Sequence, residues 1–268
     1  MTRVYRLDDG GRPRYAMEQD GRFHWLEGDL FGEFRPGSLV GSDTAPGRLP
    51  PGFRLASPVL PSKVVGIGLN YRDHAVETNK PIPSEPIVFV KPSTSVIGPG
   101  DPIRIPPGVG RVDYEAELGV VIGRRAWRVP KERAHEHVLG LTCVVDVTAR
   151  EMQRRGIQWS HCKGYDSFAP LGPCIALGLA PAGLSIEGWL NGERRQGSNT
   201  RELIFTTDDL IAYISSIMTL LPGDVIATGT PSGIGPIRPG DRFTVRFDGI
   251  GELSNPVEAS LVLKTGFT

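Results

Sequence analysis

The residues that could do chemistry are densest in Asp113-Tyr114-Glu115-Ala116-Glu117-Leu118-Gly119-Val120-Val121-Ile122. In a strand, residues two apart share a face, so Glu115 and Glu117 point the same way. The alternate positions Ala116, Leu118, Val120 and Ile122 are apolar and call for a core. Two like charges on one face repel unless water or a cation lies between them, and a solvated strand edge is the ordinary setting for such a pair. Asp146 changes the reading, because it closes the apolar run Leu141-Thr142-Cys143-Val144-Val145 and stands at the exit of a buried strand. A carboxylate nearly out of water is normally paired or bound to metal. Three carboxylates without a histidine–cysteine set describe a site for a hard cation of the Mg²⁺ or Mn²⁺ type, with water completing an octahedron.

A second constellation lies in Asn70-Tyr71-Arg72-Asp73-His74-Ala75-Val76-Glu77. His74 and Glu77 are three apart and become neighbours if the turn is helical. A carboxylate beside an imidazole orients it and raises its basicity, as a base that activates water requires, although a surface ion pair has the same spacing. Lys163, in Trp159-Ser160-His161-Cys162-Lys163-Gly164-Tyr165-Asp166, follows a turn and is placed to meet an anionic substrate. Two glycine loops resemble nucleotide sites and fail the test. Gly66-Ile67-Gly68-Leu69-Asn70-Tyr71 has Tyr71 where the third glycine of a dinucleotide fingerprint must be small. Ala227-Thr228-Gly229-Thr230-Pro231-Ser232-Gly233 lacks the Gly-Lys-Ser/Thr ending of a phosphate loop. The second loop still offers backbone N–H groups and the Thr228 and Thr230 hydroxyls, enough for a small anion.

Short strands joined by tight turns must position these groups. Gly 34 and Pro 24 in 268 residues supply the dihedrals that turns need, while 39% apolar residues spread along the chain oppose disorder. Apolar runs predict buried strands over 64–69, 87–90, 117–122, 141–145, 225–228, 243–247 and 257–263. Helices are predicted over 147–155, stopped by Gly156, and from Thr207, with Asp208 and Asp209 in the first turn and Leu210, Ile214, Ile217 and Leu221 at helical spacing up to Pro222-Gly223. A shorter helical piece is predicted over 131–138. The first 55 residues differ, with short alternating pieces broken at Asp9-Gly10-Gly11 and Asp20-Gly21, which are hairpin signals. They lead into a stiff linker from Pro46 to Gly52. The expected division is a small N-terminal β domain and linker over 1–60 and a catalytic domain over 61–268. The polar segment 72–85, with Asn79-Lys80-Pro81 and Pro83, reads as a lid.

Lys+Arg 30 against Asp+Glu 30 leaves no basic excess, which argues against nucleic-acid binding. No apolar run approaches the roughly 18 residues of a membrane span, and the first residues lack a signal-peptide stretch. Cys143, Cys162 and Cys174 show neither zinc spacing nor a disulfide framework. The expected setting is a reduced, cytoplasmic one.

In order along the chain, GIGLNYRDHAVE, EPIVFVKPST, DYEAELGVVIG, DVTAREMQ, the lysine of WSHCKGYD, and MTLLPGDVIATGTPSGIG resemble the fumarylacetoacetate hydrolase family over roughly 60–260. The resemblance implies a β-rich α+β chain with a mixed β-roll, barrel-like core, a Mg²⁺ or Mn²⁺ cofactor and a homodimer. It matches Glu115, Glu117 and Asp146 to the metal ligands and His74 with Glu77 to a catalytic dyad on a lid. It matches Arg150, Gln153, Lys163 and Thr230 to positions lining the substrate site. Leu69 departs from the pattern, since several acylpyruvate-cleaving members carry a basic residue there. The function so implied is metal-dependent hydrolysis of a C–C bond in a small, anionic 2,4-diketo acid of the acylpyruvate type. Decarboxylation of an oxaloacetate-like acid is an alternative, as is isomerisation or decarboxylation of a 5-carboxymethyl-2-hydroxymuconate or 2-hydroxyhepta-2,4-diene-1,7-dioate type acid. A binding protein using the carboxylates as a structural metal clip is a different class, which needs neither the dyad nor Lys163.

Overall fold

Hairpin turns and alternating residues shape the first part of the chain, and the computed structural model describes residues 1–41, 47–155 and 158–260. Strands β1 (Arg3–Asp8), β2 (Arg14–Gln19), β3 (Arg22–Gly28) and β4 (Phe34–Leu39) form an antiparallel meander. Denser apolar runs follow, as β5 (Lys63–Gly68) and β6 (Ile87–Pro92), with helix α1 (Arg72–Glu77) between them. Next come β7 (Val112–Tyr114), β8 (Ala116–Ile122) and β9 (Val138–Val145), then helices α2 (Arg150–Arg155) and α3 (Ser160–Lys163). Strand β10 (Ala169–Ala176) and the hairpin β11 (Ser185–Leu190) and β12 (Glu193–Asn199) precede the longest helix, α4 (Thr207–Ile217). Strands β13 (Val225–Ala227), β14 (Arg242–Phe247) and β15 (Gly251–Ala259) complete the described chain.

The main sheet runs in the order β4-β3-β2-β1-β10-β9-β8-β13-β5-β6. It is mixed, because β13 and β5 are parallel while the neighbours of β8 are antiparallel. A ladder between β1 and β10 joins the N-terminal meander to the rest of this sheet. A second sheet contains β12-β11-β14-β15 and packs its apolar face, including Phe243, Val245 and Leu253, into the same core as Leu118, Val120 and Ile122. The β-rich mixed fold therefore agrees with the reading of the sequence. Among the described residues, no helix is long and apolar enough to cross a membrane.

Several boundaries differ from expectation, each for a physical reason. Strand β8 is buried along its whole length, so its glutamate does not stand on a wet edge. The stretch predicted helical from Val147 begins instead with Thr148–Ala149 as a strand pairing β7, and the helix starts at Arg150. The piece at Lys131–His137 is a 3-10 run. Helix α4 opens with a Thr206–Asp209 capping box but ends at Ile217, because Leu220 is drawn into a bridge with Ala126. The helix stop at Gly156, the linker's start at Pro46 and the last residues of the strand predicted over 257–263 lie outside the described residues.

Candidate metal centre and substrate cavity

The register of β8 against β9 brings the three carboxylates together. Ala116 stands opposite Val145, so Glu115 and Asp146 face one another just beyond the ladder, and Asp146 N donates to Glu115 O at 2.9 Å. Directly opposed residues share a face of the sheet, and Glu117 joins them as the residue two along from Glu115. Ligand oxygens of Glu115, Glu117 and Asp146 all lie within 4.8 Å of one another, and all three residues are buried.

Cations of the chain balance most of this charge. Lys163, at the end of α3, donates to Glu115 Oε2 at 2.9 Å and also to Asp146 Oδ2. Arg150, the first residue of α2, donates Nη2 to Glu115 Oε1 at 2.5 Å and Nε to Asp113 Oδ2 at 2.9 Å. Lys91, at the end of β6, is wholly buried and donates to Asp146 Oδ1 and to Val147 O at 3.2 Å. Glu117 differs. Its Oε2 accepts Gly229 N–H at 2.9 Å, and among the described residues it forms no ion pair.

Burial alone would raise the Glu115 carboxyl, but Lys163 and Arg150 outweigh it and hold it below the ordinary range. Burial raises Glu117 well above the usual carboxylate range, and the charges of Asp146 and Glu115 push the same way. Burial works to lower the Lys163 ammonium, and Asp146 and Glu115 more than reverse it, so it stays charged. Lys91 is lowered by burial, against the pull of Asp146. Three hard oxygen donors, mutually close and out of water, with one carboxylate lacking a cation, fit a divalent ion of the Mg²⁺ class.

His74 of the dyad lines the same cavity as Glu115 and Glu117. His74 Nδ1 and Glu77 Oε2 are 2.8 Å apart within α1. A carboxylate only accepts, so Nδ1 carries the proton of this contact and Nε2 is the nitrogen left for other partners. Glu77 is held in turn, since its Oε1 accepts Gly233 N–H at 2.9 Å. One cavity of about 310 Å³ is lined by His74, Glu115, Glu117, Arg150, Gln153, Lys163 and Thr230. Asp146 and Glu77 are not on its wall: Asp146 sits behind Lys163, and Glu77 behind His74. Lys163 is buried within the site rather than free at a turn, with its ammonium 4.5 Å from the centre of the Phe89 ring. Gln153 Oε1 accepts from Arg150 Nη1 at 2.6 Å. Leu69, at φ +48°, also lines the cavity, and Lys80, Arg111 and Arg154 supply positive charge to its wall.

Comparison with known proteins follows the same lines. The family model described as fumarylacetoacetate (FAA) hydrolase C-terminal matches residues 63–258. The chain belongs to the fumarylacetoacetate hydrolase family. It is 44% identical over 209 residues to the mitochondrial oxaloacetate tautomerase fahd2 of Xenopus laevis, covering 74% of this chain and 66% of that one. The crystal structure of 5-carboxymethyl-2-hydroxymuconate delta-isomerase from Mycobacterium smegmatis superposes with a TM-score of 0.85 at 38% identity, over 96% of this chain and 100% of that chain. Maleylpyruvate hydrolase from Sphingobium sp. SYK-6, solved with manganese(II) and pyruvate, gives a TM-score of 0.76 at 27% identity, over 97% and 100% of the two chains. Members of the family are enzymes, hydrolases, isomerases and tautomerases among them, and this chain is an enzyme of the family.

Three residues of the site escaped the reading of the sequence: Lys91, Asp113 and Gln196. Lys91 left a signal, since it shares a strand face with Phe89 at the end of an apolar run and so had to be buried. Asp113, buried between Arg111 and Arg150, stands two residues before Glu115 at the same alternate spacing as Glu117, and that spacing was its signal. Gln196 lies in the polar strand Glu193–Asn199, and its burial depends on contacts about 80 residues away in sequence.

Proposed function

We propose that this enzyme is divalent-metal-dependent and hydrolyses a C–C bond in a small, anionic 2,4-diketo acid of the acylpyruvate type. The observation that carries the reading is one cavity lined by His74, which Glu77 holds, and by the buried carboxylates Glu115 and Glu117. Glu115, Glu117 and Asp146 would hold the ion, Mg²⁺ or Mn²⁺, which would supply positive charge to stabilise a developing enolate. His74 Nε2 takes a proton from water, and the oxygen adds to the distal carbonyl. The bond from that carbon to the neighbouring methylene then breaks, its electron pair passing into the 2-oxo fragment. The proton on His74 returns to that methylene, giving a carboxylic acid and pyruvate. Glu77 keeps the imidazole in the tautomer that can accept a proton. Lys163 and Arg150 offset the negative charge of substrate and products, and Arg150, Gln153 and Thr230 orient the acid.

A second reading shares the enolate but no attacking water: decarboxylation or proton transfer in a dianionic acid such as oxaloacetate or a muconate-type acid. Leu69 in place of a basic residue, the positive charge of Lys80, Arg111 and Arg154, and the similarity to a tautomerase and an isomerase favour it.

His74→Ala separates the two. It should depress acylpyruvate cleavage by roughly 10²–10⁴-fold, the usual share of a general base, and oxaloacetate decarboxylation far less. Glu77→Gln should follow more mildly. The measurement is kcat/KM on acylpyruvates, oxaloacetate and muconate-type acids at fixed metal and pH, and parallel losses on all of them would contradict a role for His74 on water. We also propose a homodimer, as the family resemblance implies, for which light scattering should give twice the mass of one chain and not the mass of one.

A further inference from the structure

Gln196 lies on β12, in the second sheet, yet its side chain is spent on the catalytic layer. It is buried, and its amide makes three hydrogen bonds. Oε1 accepts Ala116 N–H at 2.9 Å, between Glu115 and Glu117, while Nε2 donates to Thr230 Oγ1 at 2.8 Å and to Pro231 O at 2.9 Å. These partners fix which end of the amide is which. A backbone N–H only donates and a carbonyl only accepts, so oxygen must face Ala116 and nitrogen must face the loop.

The consequence falls on Thr230. Its oxygen receives a hydrogen bond from Gln196, and among the described residues its own proton has no acceptor on the protein. Thr230 lines the cavity, so the proton left over turns toward whatever lies there. The surrounding loop is braced against the same hairpin and against β7. A side chain at Gly233, which has φ +95°, would place Cβ 2.1 Å from Arg195 O, and the Tyr114 hydroxyl donates to Gly233 O at 3.0 Å. We infer that Gln196 is a positioning residue that fixes the Thr230 hydroxyl as a donor to an anionic oxygen of the substrate. It does so while holding the loop in register with the backbone of the carboxylate strand. The inference rests on the proposed binding of an anionic 2-oxo acid at this site. A glutamate of the same shape would accept from both neighbours and draw the Thr230 proton inward, and an apolar side chain would leave it free to rotate.

The test is a double-substitution cycle read by calorimetry, with Mn²⁺ added first and oxalate, a mimic of the enolate, second. Gln196→Met should weaken oxalate by roughly tenfold, the value of one hydrogen bond to a charged group, and leave Mn²⁺ affinity within about threefold. Thr230→Val should weaken oxalate similarly, and adding Gln196→Met to it should cost no more than about twofold further, because the two act through one hydroxyl. Should Gln196→Met fail to fold, Gln196→Glu enters the same cycle with the same expected dependence on Thr230. Oxalate binding indifferent to Gln196, or losses that multiply in the double variant, would overturn the inference. Wild type that takes up Mn²⁺ but no oxalate would overturn the oxo-acid reading and the inference with it, and so is told apart from a failure of Gln196 alone.

Discussion

Glu117 is the carboxylate of the site that lacks a cation of the chain, and its behaviour with pH follows from that. Its carboxyl is raised, chiefly by burial, so it binds a proton more tightly folded than unfolded. The stability this contributes is complete below about pH 4, near the ordinary value for a free glutamate, and is lost as pH rises through the folded value. A dication at the site offsets that loss, because ligands bind metal deprotonated. Melting temperatures measured with and without Mg²⁺ should therefore diverge as pH rises from 5 to 8, and binding should release protons. An equal metal-induced shift across that range would contradict the account. Glu115 has the opposite sign. Lys163 and Arg150 hold it low despite its burial, so its contribution is present above the free value and is lost in acid. The candidate ligands were legible because strand alternation and a charge closing an apolar run are local signals. Lys91 and Gln196 were not, since each acts through residues that only the finished sheets bring near.

Among the elements, α1 holds the dyad yet touches the body through few bonds. Ser232 Oγ donates to Asp73 at 3.3 Å, Gly233 N to Glu77 at 2.9 Å, and Arg72 Nη1 to Leu203 O at 3.2 Å. Val76 and Ile82 on this segment are exposed. Residues 72–85 are accordingly expected to exchange amide hydrogens fast in the free enzyme and slowly with metal and oxalate bound. Equal protection in both states would contradict the lid without touching the dyad. Strand β5 makes a different demand. A Cβ on Gly66 would lie 2.1 Å from the Phe89 ring, on which Lys163 rests. Gly66→Ala should cost about 1–3 kcal/mol by overpacking, read in chemical denaturation, and should also lower activity as the ring and Lys163 shift. Strands β8 and β9 were legible as apolar runs. Strand β10, Ala-Pro-Leu-Gly-Pro-Cys-Ile-Ala, was not, because its prolines and glycine read as turn residues although it lies between two partners in the sheet.

On the scale of the whole molecule, the site is a meeting of distant pieces. The carboxylates come from β8, the residue before it and the residue after β9, the cations from β6, α2 and α3, the His74–Glu77 pair from α1, and the amide bonded to Thr230 from the second sheet. Composition and turn chemistry were enough to read a β-rich chain, whereas the strand order, in which β13 lies between β8 and β5, comes from pairings far apart in sequence. The central claim is that this assembly exists to hold one divalent ion beside the dyad. Calorimetric titration of Mn²⁺ into chelator-treated enzyme tests it most directly, comparing wild type with Glu117→Gln, which keeps the shape of the side chain and removes its charge. The account predicts one ion per chain in wild type and loss of that binding in Glu117→Gln, and equal affinity in the two proteins, or no binding in wild type, would contradict it.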